Sequence, residues 1–136
     1  MAAFPRRRAR DPTSRTDPRI ARGSAAETAA AELLVRAGFL IVARNVRIGG
    51  AEIDLVAEDG EEIVFVEVRS RSSSRQGGPL ATIGRVKQAR IARAARAFLD
   101  RAGRSDSPAR FDVVGVEWRE GRAACIHIRG AFESPW

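Results

Sequence analysis

The chain has few of the residues that cross-link small proteins or bind zinc in them. Of its 136 residues one is a cysteine, Cys125, so an intramolecular disulfide and a cysteine-ligated zinc site are both excluded. The single histidine, His127, completes no legible Ser-His-Asp arrangement, and we expect it to be a structural or surface residue of a strand. The fold must therefore rest on its core, and a chain of this length buries roughly two-thirds of its unfolded surface.

Long apolar runs are also missing. No stretch approaches the ~18 residues that a membrane-spanning helix needs, so we expect no membrane contact. The first residues lack the apolar segment of a secretory signal, which favours a cytoplasmic protein. Hydrophobic residues make up 44% of the chain, which is typical of a single globular domain.

Lysine is nearly absent, although the chain is strongly basic. It carries 24 basic and 17 acidic residues, and Lys87 is the one lysine among them. A net charge of +7 points to a polyanionic partner, most simply a nucleic acid. Arginines and prolines are concentrated in residues 1–22, which we expect to form a disordered basic tail before a domain at 23–136. Such a tail either contacts phosphates or is only a solvated extension.

The hydrophobic periodicity predicts an α/β domain of order α-β-β-β-α-β-β, a mixed sheet with helices beside it. A capping box of Ser24 and Glu27 predicts that the first helix begins at Ser24. The polar loop at 71–80 is a candidate for phosphate contact. The predicted elements are a helix at 24–37, strands at 39–46, 51–58 and 61–71, a helix at 83–102, and strands at 110–118 and 123–129.

An acid stands in the middle of the third predicted strand, which is apolar on both faces. A hairpin loop at Asp59-Gly60 places Glu52 opposite this acid, Glu67, and makes Asp54 its diagonal neighbour. Like charges so close destabilise a sheet unless a proton, an arginine or a divalent cation offsets them. Carboxylates on a rigid frame suit Mg²⁺ or Mn²⁺. Alternation alone equally fits solvated edge acids that pair with Arg69.

The same hairpin carries a family resemblance. The stretch "AEIDLVAEDGEEIVFVEVRSR" resembles the hairpin of the YraN-like uncharacterised family, written GEIDL…FVEVKxR, and "RFDVVGV" and "IHIRGAF" match in order. The resemblance covers about residues 22–132. That family is similar to the PD-(D/E)xK nucleases, and especially to archaeal Holliday-junction resolvases. The resemblance therefore implies a restriction-endonuclease-like fold whose acids are Glu27, Asp54 and Glu67.

The sequence departs from the family pattern at two positions. Ala51 stands in place of a glycine, and Arg69 stands in place of the catalytic lysine. Arginine stays protonated, so Arg69 can stabilise charge on a phosphate but is a poor base. Lys87 lies on the stripe of the second helix that faces the sheet, so it could replace the strand lysine, or it is a lysine that snorkels at the edge of the core.

These observations favour a metal-dependent nuclease acting on structured or branched DNA. Asp54, Glu67 and Glu52 would hold Mg²⁺ or Mn²⁺ with help from Glu27, while Arg69 and Lys87 would act on phosphate or water. Two alternatives stay open: a nucleic-acid-binding module of the same fold that lost its activity, and an adaptor that binds a protein. The resolvase resemblance also implies a homodimer, although no dimer surface is legible in the sequence.

Overall fold

The computed structural model describes residues 18–71 and 83–133, with side chains in 24–70 and 83–133. Its element order is the predicted α-β-β-β-α-β-β. The phosphate-contact loop predicted at 71–80 lies almost wholly outside the described residues. The elements are α1 (Pro18–Arg36), β1 (Leu40–Ile48), β2 (Ala51–Asp59), β3 (Glu62–Arg71), α2 (Arg85–Arg101), β4 (Ala109–Arg119) and β5 (Arg122–Phe132).

One mixed sheet joins all five strands in chain order, β1-β2-β3-β4-β5. Neighbouring strands are antiparallel except β3 and β4, which run parallel and are connected through α2. A parallel pair requires a crossover of this kind, and a helix is its usual form. In the described part of the chain, neither helix is long and apolar enough to cross a membrane.

The central strand β3 is buried on both faces, as its continuous apolar run predicts. Val64 and Val66 pack with Ala30 and Leu34 of α1, while Ile63 and Phe65 pack on the opposite face against α2. These four β3 residues are at most 1% exposed. The sheet therefore lies between the two helices, with a core on each side. A polar side chain on β3 at this depth needs a partner.

The first helix begins earlier than its sequence signal predicts. α1 starts at Pro18, so Ser24 lies inside the helix and the predicted capping box with Glu27 is wrong. Proline is favoured in the first turn of a helix, and the alanine-rich stretch after it has high helix propensity. The last residues of the predicted tail, from Pro18 onward, are thus helical, and the rest of the tail lies outside the described residues.

The β2–β3 hairpin has a different register from the predicted one. Asp59 pairs with Glu62, so the loop is Gly60-Glu61 and not Asp59-Gly60. Gly60 takes φ +62° at the first loop position, which a type II′ turn requires. Arg110 of β4 contacts both acids of the closing pair, Asp59 at 3.0 Å and Glu62 at 2.7 Å, which offsets their repulsion. The predicted pairing of Glu52 with Glu67 is therefore wrong: the observed pairs end at Leu55 and Val66, and their register extended by one residue would place Asp54 opposite Glu67.

A buried acid joins β4 to β5. Asp112 is fully buried, and its carboxylate accepts hydrogen bonds from Arg110 and from the Gly130 backbone N–H at 3.0 Å. Nε2 of His127 lies 2.7 Å from Oδ2 of the same carboxylate. The histidine that the sequence predicts to be structural therefore helps to satisfy a buried charge.

Removing the charge of Asp112 should destabilise the fold. Asp112→Asn keeps the shape but turns an NH₂ group toward the donors of Arg110, His127 or Gly130. We expect the free energy of unfolding to fall by about 2 kcal/mol, because buried donors lose their acceptor. Urea denaturation measures the change, with the exposed Asp106→Asn as the matched control. Equal stability of both variants would contradict this account.

Candidate metal centre

Asp54 lies where β2 separates from β3. β2 pairs with β1 along its whole length, but its pairs with β3 run only from Leu55 to Asp59. At the point of separation the Asp54 side chain replaces the missing backbone partner: its Oδ2 accepts a hydrogen bond of 2.8 Å from the Val68 N–H. The carboxylate is thereby fixed against β3 at the mouth of the split.

Two further acids converge on Asp54. Single carboxylate oxygens of Glu27 in α1, Glu52 and Asp54 all lie within 4.8 Å of one another. The sequence predicts Glu52 and Asp54 as metal ligands and Glu27 as the helix acid of the family. Glu27 is half-buried here, and it is not the partner of a capping box. Three acids from two elements thus share one point in space.

The ionised form of Asp54 is disfavoured by its surroundings. Burial and the negative charge of Glu67 raise its pKa from 3.8 to about 8, and the charges of Glu27 and Glu52 act in the same direction. Among these influences the Val68 N–H alone favours the carboxylate. A single backbone N–H thus opposes several influences that disfavour the charge of Asp54, and a bound cation would favour that charge.

Glu67, the acid in the apolar strand, is paired with the lysine of α2. Nζ of Lys87 lies 2.5 Å from Oε1 of Glu67, whose side chain is 11% exposed, whereas that of Lys87 is 51% exposed. Lys87 stands one turn before the buried Ile91, so the helical stripe of the sequence analysis leads it to the sheet face. Its catalytic role stays a prediction. The lysine reaches across from the helix to the acid two residues before Arg69.

A cleft of about 440 Å³ lies between the β1–β2 turn and α2, and its lining includes Asp54, Glu67 and Lys87. Arg90 and Gly50 line it too, and the sequence analysis missed both. Arg90 could have been found from its place one helical turn after Lys87. The residues lining the cleft are Gly50, Ala51, Glu52, Asp54, Glu67, Lys87, Arg90 and Ile91.

Arg69 lies two residues beyond Glu67 on the same strand. It is half-buried and pairs in register with Gly115 of β4, so no side chain of the neighbouring strand faces it there. By the alternation of β3 it shares the face of Glu67. Its predicted action on phosphate stays a prediction.

The donor set suits a hard divalent cation. Glu27, Glu52 and Asp54 offer oxygens close enough to meet at one ion, and Mg²⁺ and Mn²⁺ prefer carboxylate oxygen and water. Glu67, which is also a predicted ligand, has one oxygen paired with Lys87, and its role as a metal ligand stays a prediction. Its charge still acts on Asp54, so it borders the same centre.

Comparisons with known proteins agree with the motif of the hairpin. The model of an uncharacterised protein family, UPF0102, matches residues 26–116. A UPF0102 protein of Symbiobacterium thermophilum is 48% identical over 113 residues, which make up 82% of this chain and 96% of that relative. A UPF0102 protein of Burkholderia pseudomallei is 50% identical over 113 residues, 82% of this chain and 75% of the relative.

Among solved structures, Pyrococcus furiosus SfsA in complex with Ca²⁺ aligns with 82% of this chain and 62% of its own length. Its sequence identity is 14% and its TM-score 0.37, so this likeness carries no argument about the site. The family model, in contrast, covers well over half of the chain, and the relatives match most of its length. The chain belongs to the uncharacterised protein family UPF0102, the YraN-like family that its hairpin motif predicts.

Proposed function

We propose that this protein is a metal-dependent nuclease that hydrolyses phosphodiester bonds in structured or branched DNA. One observation carries the proposal: the carboxylate oxygens of Glu27, Glu52 and Asp54 lie within 4.8 Å of one another while burial and like charge raise the pKa of Asp54 to about 8. Acids gathered at such a cost point to a cationic ligand. The basic composition and the nuclease resemblance of the hairpin supply the substrate class.

In this proposal Asp54 and Glu52 hold the cation, with Glu27 and Glu67 beside it. A bound Mg²⁺ would polarise the phosphodiester, lower the pKa of a water and neutralise the leaving oxygen. The Val68 N–H keeps the Asp54 carboxylate aimed at the centre through its bond of 2.8 Å. No further protein charge is needed to orient this ligand.

Basic groups around the acids would act on the substrate. Lys87 is held by Glu67 and half-exposed in the cleft, where its amine can donate to a phosphate oxygen or order the attacking water. The guanidinium of Arg69 would stabilise the charge that develops on the phosphate. Arg90 lines the same cleft and adds a second fixed positive charge.

A cleavage panel tests the proposal. Single-stranded, duplex, flap and four-way DNA are incubated with Mn²⁺, with wild type beside Glu67→Ala. We expect cleavage of the branched forms by wild type, and a rate lower by about a hundredfold in Glu67→Ala. Glu133→Ala, which removes an exposed acid far from the cleft, is the control and should cleave like wild type.

The same panel separates the alternatives. Salt-sensitive DNA binding without metal-dependent cleavage would favour an inactive nucleic-acid-binding module. Arg69, which stands in place of the catalytic lysine, is the sequence feature that supports this alternative. Absence of any DNA binding would leave the protein-binding adaptor. Either outcome would overturn hydrolysis as the function.

A further inference from the structure

We infer that the acidic cleft is one end of a longer groove, and that Arg90, Arg101 and Arg47 hold the phosphates of one nucleic-acid strand along it. A second cleft of about 600 Å³ lies beside the first and shares Gly50, Ala51 and Glu52 with it. Its basic lining residues are Arg47 and Arg101. The inference rests on the proposed function for the nature of the partner, and it adds where that partner runs.

The β1–β2 turn lies at the boundary between the two clefts, next to the shared residues Ala51 and Glu52. Gly49 and Gly50 form the β1–β2 loop with φ +61° and +77°, a pair of values that glycine adopts most easily. A Cβ on Gly49 would come 3.9 Å from the backbone of Ala94, so the turn rests on α2, while a Cβ on Gly50 would meet nothing within 4 Å. The two glycines thus present bare backbone at this boundary beside Ala51 and Glu52, and a strand can pass over the turn.

Along α2, two arginines mark the two ends of the groove. Arg90 lines the acidic cleft and Arg101 lines the second one. Eleven residues are close to three helical turns, so both lie on one side of α2, about 16 Å apart along its axis. That distance corresponds to about five nucleotides of one strand. On the stripe between them Ala94 is fully buried beside the β1–β2 turn and Ala97 is half-buried, so no long side chain of this stripe stands between the two arginines.

The charges of these arginines are available to a ligand. Among the described residues neither Arg90 nor Arg101 has an ion-pair partner, whereas Arg96 of the same helix pairs with Asp100 at 3.6 Å. Arg47 contacts Glu52 at 3.5 Å, but its side chain is 84% exposed, and so open an ion pair is worth little. A phosphate can replace Glu52 as its partner, above all when Glu52 binds a cation.

The charge pattern suits a nucleic acid better than a protein. α2 carries six basic residues against one acid, and the groove follows one side of it. A regular row of phosphates matches positive charges at both ends of a path that leads to the carboxylates. The groove thus runs along one side of α2, and the proposed metal centre lies at one end of it.

Charge reversal at matched positions tests the groove. Binding of a fluorescein-labelled single strand of about 20 nucleotides is followed by anisotropy, without metal, over a range of salt. We expect Arg101→Glu to weaken binding by about tenfold, and Arg90→Glu with Arg101→Glu by about a hundredfold. Each lost contact should lower the slope of log affinity against log salt by about 0.7. Arg122→Glu, the same charge change at the exposed β4–β5 turn, should change affinity by less than about threefold.

The outcomes distinguish this inference from the proposed function. If wild type binds DNA and Arg122→Glu weakens binding as much as Arg101→Glu, only net charge matters and the groove is refuted. If the groove variants alone lose affinity but wild type never cleaves with Mn²⁺, the groove stands and hydrolysis fails. If wild type binds no DNA even at low salt, both are overturned.

Discussion

Asp54→Asn is expected to abolish metal-dependent cleavage, by about a thousandfold or more, and at the same time to stabilise the fold at neutral pH. Both effects have one cause. Asp54 is one of the three clustered acids, so its loss would remove a ligand of the proposed cation. It is also the acid whose charge the protein least tolerates, because burial and Glu67 raise its pKa to about 8.

The direction of the stability change follows from proton linkage. The folded-state pKa of Asp54 lies above the unfolded value of 3.8, so between these two pH values the folded state binds more protons than the unfolded state. This contribution to stability is full below the unfolded pKa and is lost as the pH rises through about 8. Asparagine is neutral at every pH, so the Asp54→Asn variant does not lose this stability as the pH rises. Its amide oxygen can still accept the hydrogen bond from the Val68 N–H.

Denaturation curves across pH measure the effect. We expect Asp54→Asn to unfold at higher urea than wild type, with a gain that is near zero at about pH 4 and grows to several kcal/mol at about pH 8. The control Asp106→Asn changes the same chemistry on an exposed loop and should show no such trend. A gain that is constant with pH, or a loss, would show that the charge of Asp54 is not the cause.

Binding of Mg²⁺ should depend on deprotonation of the same carboxyl group, that of Asp54. Mg²⁺ requires the ionised carboxylate, so the rise in melting temperature that it causes in wild type should grow as the pH approaches about 8. Asp54→Asn should show no rise at any pH. An equal Mg²⁺ effect in both proteins would place the binding elsewhere.

Sequence patterns predict the strands and the meeting of the acids but not their register. The burial of β3 follows from its unbroken apolar run, and its two-sided packing makes Glu67 conspicuous. The hairpin loop is different, because Asp59-Gly60 and Gly60-Glu61 both satisfy a glycine-containing turn. The choice between them involves Arg110, which lies 48 residues beyond Glu62 in the chain and bridges the closing pair. Local sequence does not carry that information.

Local sequence also fails to predict where the first helix begins, and this bears on the role of Glu27. Ser24 and Glu27 match a capping box, yet α1 continues back to Pro18 and both lie inside it. A capping signal marks where a helix can begin, and upstream residues with good propensity can extend it. The family resemblance assigns Glu27 to the site, and its oxygen lies among those of Glu52 and Asp54.

The lysine of α2 explains how the site could work with an arginine at position 69. Periodicity brings Lys87 to the sheet face, and its Nζ lies 2.5 Å from Glu67, the acid of the motif that normally continues to lysine. In the proposed mechanism α2 would therefore supply the amine that β3 lacks. This relocation requires the amine itself and not only a positive charge, which can be tested by conservative exchange.

Lys87→Arg is expected to lower the rate of metal-dependent cleavage by about a hundredfold, nearly as much as Lys87→Met. A guanidinium keeps the positive charge beside Glu67, but it cannot give up a proton to serve as a base. Arg69→Lys on the Lys87→Met background should recover at least about tenfold, since it restores an amine at the position of the family lysine. Arg85→Lys, an equally conservative exchange on an exposed part of α2, should leave the rate unchanged. Full activity of Lys87→Arg would show that the lysine acts only through its positive charge, which positions Glu67. If Arg69→Lys does not restore activity, residue 69 does not face the reacting phosphate.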